Sequence, residues 1–108
     1  MEEKKLGKII SINFGGNHYF GLHITFGGDG WAVSDARGPW NPINTQVTEY
    51  TRWTEEDRSR IFDETSRFLA QILSDAKKEY VDQLKGIPVE VTFEGNLLKE
   101  WRILTEVL

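Results

Sequence analysis

The chain has 108 residues, of which 39% are hydrophobic and 28% charged, and its formal net charge is −4. This length and composition predict one globular domain, residues 1–108, with a core that needs no disulfides. The absence of cysteine excludes thiolate nucleophiles and cysteine-based zinc sites. No signal-peptide core or bilayer-length apolar run occurs, so we expect a cytoplasmic protein without a membrane partner. The acidic balance argues against direct nucleic-acid binding.

The first third of the chain predicts three antiparallel strands separated by glycine-rich turns. The first alternates over residues 5–14, with one face formed by Leu6, Lys8, Ile10, Ile12 and Phe14 and the other by Ile9, Ser11 and Asn13. The second alternates most regularly, from Phe20 to Phe26. The third follows the turn of residues 27–30 and begins at Trp31. This order predicts a meander.

The middle and the end of the chain predict a loop, a helix and a hairpin. Residues 37–52 show no periodicity and are expected to form an irregular loop. Thr54 is the predicted helix N-cap, with Asp57 at the capping-box position. Apolar residues then recur at helical spacing as far as Ala76, and the helix either continues or breaks before Gly86. Two strands flank the turn at residues 95–96. The fold prediction is α+β: an antiparallel sheet of about five strands, in the order βββ-α-ββ, with one long or broken helix on one face.

The segment GGDGWAVSDARGPW, residues 27–40, and the loop after it hold the candidate ligand-binding residues. Glycines permit close backbone approach, tryptophans offer flat faces, and Asp and Arg offer charge and hydrogen bonds. The candidates are Trp31, Asp35, Arg37, Trp40, Asn41, Tyr50, Arg52 and Trp53. Two alternatives stay open: the aromatics form the loop's own small core, and Asp35 pairs with Arg37 instead of presenting a fork to a phosphate or carboxylate.

No arrangement of residues predicts catalysis, a metal site or a cofactor. The glycine-rich turn lacks a Walker lysine, and no Gly-x-Ser-x-Gly motif occurs. His18 and His23 lack the spacing of zinc ligands. Asp29 lies in a glycine turn, where aspartate is favoured for its own backbone hydrogen bonds. We therefore expect a protein that is not an enzyme.

Three tracts resemble a family of small phage and prophage proteins. They are HYFGLHITFGGDGWAVSD (18–35), VTEYTRWTEEDR (47–58) and LKGIPVEVTFEGNLLKEWRILTEVL (84–108), which together cover most of the chain. The resemblance implies a small accessory protein of a bacterial virus that acts in the host cell. Many such proteins counter host defence, by binding a defence enzyme or by sequestering its nucleotide signal. The resemblance supplies no catalytic residues.

The leading functional hypothesis is capture of a host immune nucleotide signal through the Gly/Trp-rich region. The alternative is an anti-CRISPR-like inhibitor that binds a host nuclease complex through acidic helix residues, namely Glu55, Glu56, Asp57, Asp63 and Glu64. A further alternative is a structural or regulatory phage protein. Apolar residues on both sides of the last strand, residues 97–108, also predict pairing into a homodimer.

Overall fold

The computed structural model describes residues 2–16, 20–40 and 54–108. Within these ranges the chain forms β1 (Glu2–Gly15), β2 (Phe20–Gly28), β3 (Trp31–Trp40), α1 (Glu55–Ala76), β4 (Pro88–Glu94) and β5 (Leu97–Ile103). Short 3₁₀ helices follow α1 at Val81–Leu84 and follow β5 at Thr105–Val107. The described part of the chain has no helix that is both long and apolar enough to cross a bilayer.

The five strands form one antiparallel sheet in the order β3-β2-β1-β4-β5. The N-terminal strand β1 is central, and it pairs with β2 on one side (Ile12 opposite Ile24) and with β4 on the other (Lys8 opposite Pro88). The sheet and α1 confirm the predicted α+β fold and its βββ-α-ββ order. β5 is an edge strand, so one side of its backbone ladder has no strand beside it in the described fold.

The core lies between one face of the sheet and α1. Its fully buried side chains come mainly from β2, β4 and the 3₁₀ helix: Leu22, Ile24, Phe26, Leu84, Val89 and Val91, with Ile9 from β1. Ile72 and Ala76 face this layer from α1. The helical spacing of these apolar residues explains why α1 turns one stripe toward the sheet and leaves its charged side in solvent.

A bulge in β1 changes which residues of its first half face the core: Ile9 is buried and Ile10 is exposed, the reverse of the prediction. The pairing of β1 with β2 shifts between Ile9 and Ser11, so one extra residue enters the strand there. As a result Ile9 and Ile12 are both buried, whereas Ile10 is 46% exposed. The prediction that Ile10 shares a face with Ile12 was therefore wrong, because strict alternation does not count a bulged residue.

β3 extends further than predicted. Arg37 pairs with Leu22 and Trp40 with Phe20, so the strand reaches four residues into the expected loop. Gly38 makes this possible, because its φ of 64° lies in the left-handed region and the pairing is irregular beside it. A Cβ at Gly38 would also collide with the side chain of Thr65 on α1. The rest of the predicted loop, residues 41–52, lies outside the described residues.

The predicted helix start is confirmed, and the ends of α1 and β5 are now defined. The Thr54 hydroxyl accepts a hydrogen bond from the Asp57 amide, and the Asp57 carboxylate accepts one from the Thr54 amide. The helix ends at Ala76, and its C-cap Lys77 adopts φ 59°, so the break precedes the 3₁₀ helix. The final strand stops at Ile103, and the alternation predicted to continue to Val107 is replaced by a 3₁₀ helix.

Candidate functional site

The two edge strands of the sheet are joined by one side-chain hydrogen bond. Trp101 on β5 donates its indole N–H to Asp35 on β3, with an Nε1–Oδ2 distance of 3.1 Å. Because β3 and β5 are opposite edges of the sheet, this bond requires the sheet to curl until the two edges approach each other. The Trp101 ring also lies 4.6 Å from the Phe26 ring centroid and 5.9 Å from that of Phe68 on α1.

The Arg37 side chain on β3 is oriented by a hydrogen bond and by a ring contact. Its Nε donates to the same Asp35 oxygen at 3.1 Å, and its guanidinium carbon lies 4.2 Å from the Phe68 ring centroid. Its two terminal nitrogens donate to none of the described residues, and the side chain is 46% exposed. A guanidinium oriented by a carboxylate and stacked on a ring is well suited to bind an oxyanion with its remaining N–H groups.

A cleft of about 380 Å³ lies between α1 and β5, and Arg37 is not among the described residues that line it. Phe68, Ile72, Trp101 and Ile103 form its apolar walls, and Gln71, Asp75, Arg102 and Thr105 form its polar rim. Small-molecule sites typically measure about 300–1,000 Å³ and combine apolar walls with a few polar groups. Because Phe68 and Trp101 belong both to the cleft and to the Arg37 cluster, the two features form one candidate site.

Trp31 lies away from this site and has a structural role. Its ring meets Phe93 edge-on at 5.5 Å, and a Cβ at Gly7 would come within 2.7 Å of the indole. The indole therefore packs directly on glycine backbone, which no larger residue at position 7 would permit. Arg37 lies six positions after Trp31 along β3, a distance of about 20 Å.

The structure thus unites only part of the predicted site. Asp35 and Arg37 are together and paired with each other, whereas Trp31 and the backbone of Trp40 lie at opposite ends of β3. The predictions for Asn41, Tyr50, Arg52 and Trp53 fall outside the described residues. Sequence reasoning missed Trp101 and treated Phe68 as core alone. One sequence feature could have indicated Trp101 as a site residue: it lies on an alternating strand that carries apolar residues on both faces.

Three arginines of α1 pair with four of the five acidic residues that were singled out near its start. Glu55 pairs with Arg58, and Asp63 pairs with Arg67 at 2.9 Å. The other two carboxylates, Asp57 and Glu64, share Arg60 at 3.6 and 3.8 Å. The Thr54 backbone N–H, which donates to Asp57, also holds the pKa of that carboxyl below its usual value. Of the five acidic residues singled out, only Glu56 has no ion pair among the described residues.

The remaining chemistry of the described residues is sparse. No group of three or more His, Asp or Glu side chains within ranges 2–16, 20–40 and 54–108 is arranged to hold a metal ion. His23 is half-buried on β2, opposite Asn13 and Ala36, and His18 lies outside these ranges. Family models, curated proteins and solved structures were all compared with this chain, and none of them matches it. The resemblance to phage proteins therefore stays a prediction.

Proposed function

We propose that this chain is a non-enzymatic phage accessory protein that sequesters a host immune nucleotide signal in the cytoplasm of the infected cell. The observation that carries the proposal is the Arg37 guanidinium, held by Asp35 and stacked on Phe68 beside an aromatic-walled cleft. The phage context comes from the sequence resemblance, and the ligand class comes from the chemistry of the cleft.

A nucleotide combines the two chemical groups that this site accommodates. A phosphate accepts two hydrogen bonds from the terminal nitrogens of a guanidinium, and such charge-assisted pairs are about twice as strong as neutral ones. A base has flat apolar faces that stack on aromatic rings, at about 1–3 kcal/mol per base. Arg37 and the walls formed by Phe68 and Trp101 adjoin each other, so one ligand can use both.

The lining of the cleft favours binding over turnover. Thr105 carries the only hydroxyl among the residues described as lining it, and neither a histidine nor a lysine belongs to that set. An activated nucleophile needs an adjacent base within hydrogen-bond reach. A protein that sequesters a signal needs affinity without chemistry, which agrees with this lining.

The ion pairs on α1 support the nucleotide-binding hypothesis over the acidic-surface hypothesis. An acidic surface that imitates nucleic acid needs carboxylates that are free to meet a basic partner. Four of the five carboxylates of the predicted inhibitor surface already face an arginine of their own helix. This arrangement favours the nucleotide site over the anti-CRISPR-like surface. The structural or regulatory alternative has no observation in its favour.

Native mass spectrometry and calorimetric titration together test the proposal. Protein purified from infected host cells should release a small nucleotide at fixed stoichiometry on denaturation. In titrations with cyclic di-GMP, cyclic di-AMP, GMP and AMP, Arg37→Ala should weaken binding at least tenfold, since a hydrogen bond to a charged group contributes about 1.5–3 kcal/mol.

Arg67→Ala is the matched control, because it removes an equally charged side chain from the exposed face of α1. It should leave nucleotide affinity unchanged. Protein without a released nucleotide, together with no binding of any of the four probes, would overturn the proposal. Equal losses in both variants would overturn the assignment of Arg37.

A further inference from the structure

We infer that the α1–β5 cleft binds an extended peptide segment of a partner protein, which adds a strand to the edge of the sheet. The segment pairs with the backbone of β5 and does not use Arg37, so the inference does not rest on the proposed nucleotide binding. Strand addition to an exposed sheet edge is a recurring mode of peptide recognition. The partner chemistry that fits is a run of alternating apolar and basic residues.

The cleft follows the edge of β5 and does not lie on one face of the sheet. Trp101, Arg102 and Ile103 all line it, and they are consecutive residues. Because successive side chains of a strand point to opposite faces, a cleft that meets three in a row follows the edge of the strand. Its opposite wall belongs to α1, from Phe68 to Asp75. The cleft is therefore bounded by a helix on one side and by a strand edge on the other.

The backbone of β5 offers hydrogen-bonding groups to this cleft. In the antiparallel pairing with β4, the Leu104 amide donates to the Pro88 carbonyl at 3.0 Å. Hydrogen-bonded pairs alternate along such a ladder, so Arg102 also bonds to β4. The backbone N–H and C=O groups of Trp101 and Ile103 then point to the other side, and none of them bonds to the backbone of another described residue. An added strand can pair with all of these groups.

The apolar part of the cleft sets one half of the peptide pattern. Phe68 and Trp101 are both half-buried and pack against the core, so their remaining exposed surface is apolar. In an added strand every second side chain faces this surface, and the others face the rim and solvent. Apolar residues at every second position therefore remove apolar surface from water. A nucleotide would stack on the same two rings, so a bound peptide and a bound nucleotide exclude each other.

The rim is acidic, which favours basic residues at the intervening positions. Asp75 accepts a hydrogen bond from Gln71 at 2.8 Å but has no ion pair with any described residue. Arg102 is already engaged by Glu90 at 3.2 Å and by Glu106 at 2.8 Å. Three carboxylates thus accompany one guanidinium, and the rim is net negative. A lysine or arginine of the peptide complements this charge.

The position of Asp75 is unfavourable for its own helix. Asp75 lies in the last turn of α1, which ends at Ala76 and carries no basic residue in that turn. The carbonyl end of a helix carries partial negative charge, which disfavours a carboxylate there. Local rules of this kind are broken most often at functional sites. The placement therefore supports a role for Asp75 in binding a cationic partner.

A blocked six-residue peptide of alternating valine and lysine tests the inference, with fluorescence anisotropy as the measure of affinity. It should bind at least fivefold more tightly than the same peptide with glutamate in place of lysine. Asp75→Lys reverses the free charge of the rim and should weaken binding of the lysine peptide at least fivefold. Asp63→Lys makes the same change in net charge on the exposed side of α1 and should leave the affinity within twofold. Circular dichroism of both variants shows that a lost affinity does not come from a lost fold.

Hydrogen exchange measured by NMR tests the strand addition itself. At saturation with the lysine peptide, the backbone amides of Trp101 and Ile103 should exchange at least tenfold more slowly. The amide of Arg102 is the internal control, because it already bonds to β4 and should change less than twofold. N-methylation of one alternate set of peptide nitrogens should abolish binding, and methylation of the other set should preserve it, since only one set faces β5.

Each outcome supports or overturns the inference. Absence of binding to the lysine peptide, or binding without protection of Trp101 and Ile103, would overturn strand addition. Protection that is already present without peptide and rises with protein concentration would show that a second copy of the chain occupies the edge, and would overturn the peptide assignment. Equal losses in Asp75→Lys and Asp63→Lys would refute the role of the rim. Failure to bind any nucleotide would overturn the proposed function and leave this inference standing.

Discussion

Removing the Asp35 carboxylate should separate the two edges of the sheet. Asp35 accepts hydrogen bonds from Trp101 on β5 and from Arg37 on its own strand, both at 3.1 Å. The Asp35 side chain is only 21% exposed, so water replaces these bonds poorly. In Asp35→Ala the half-buried Trp101 N–H loses its acceptor, and Arg37 loses its counter-charge.

The expected loss can be estimated from these two bonds. A hydrogen bond to a charged group contributes about 1.5–3 kcal/mol, and the half-exposed ion pair with Arg37 adds no more than about 1 kcal/mol. We therefore expect Asp35→Ala to lower the free energy of unfolding by about 3 kcal/mol. Trp101→Phe should cost about 2 kcal/mol for the same bond and the smaller ring. The double variant should cost about 1.5 kcal/mol less than the sum.

Urea denaturation followed by circular dichroism measures all four members of this cycle. Asp63→Ala serves as the control, because its ion pair with Arg67 is exposed and should contribute less than about 0.5 kcal/mol. Strictly additive costs for Asp35→Ala and Trp101→Phe would refute the link between the sheet edges. A cost for Asp35→Ala no larger than that of the control would refute it as well.

Three further predictions concern the core, the helix cap and acid stability. Leu84→Ala should lower the free energy of unfolding by about 2–5 kcal/mol because Leu84 is fully buried, whereas the same change at Leu97, which is 76% exposed, should cost less than about 0.5 kcal/mol in urea titrations. Thr54→Ala removes the capping hydroxyl and should cost about 1 kcal/mol, seen as a lower Tm in thermal unfolding. Hydrogen bonds from Arg102 lower the pKa of Glu106 from 4.5 to about 2, so the stability they supply is present above pH 4.5 and lost as pH falls toward 2. Glu106→Gln should therefore lose less stability than wild type between pH 5 and pH 2.5, and equal losses would contradict this reasoning.

Local signals predicted the helix entry and the turns of this fold well. The capping box at Thr54 and Asp57 and the two-residue turn at Gly95 and Asn96 depend on neighbours in sequence. Such features need no knowledge of distant strands. The predicted order of the strands and the helix was therefore correct, because these local features mark where each element begins or ends.

The errors arose where a distant strand decided the outcome. The bulge at Ile10 is defined by the pairing of β1 with β2, and it reversed which isoleucine is buried. The extension of β3 through Gly38 depends on β2 and on Thr65 of α1. Neither effect appears in the periodicity of one segment.

Only the local part of the candidate site could be predicted from the sequence, because the rest depends on contacts between distant elements. Asp35 and Arg37 stood out because they are two residues apart and complementary in charge. The site was completed by Phe68 and Trp101, which lie on other elements and have apolar side chains that are typical of a core. Only the curl of the sheet brings Trp101 to Asp35.

The central place of β1 also bears on how this chain folds. In β1, Lys8 lies opposite Gly27 of β2 on one side and opposite Pro88 of β4 on the other. The central strand is therefore fully paired only after β4, near the opposite end of the chain, has been made. During synthesis β1, β2 and β3 emerge long before β4, and one side of β1 stays unpaired in that interval. Sheets dominated by such distant pairings fold in about milliseconds to seconds. Aggregation competes most with folding during that interval, because the unpaired edge of β1 is then exposed.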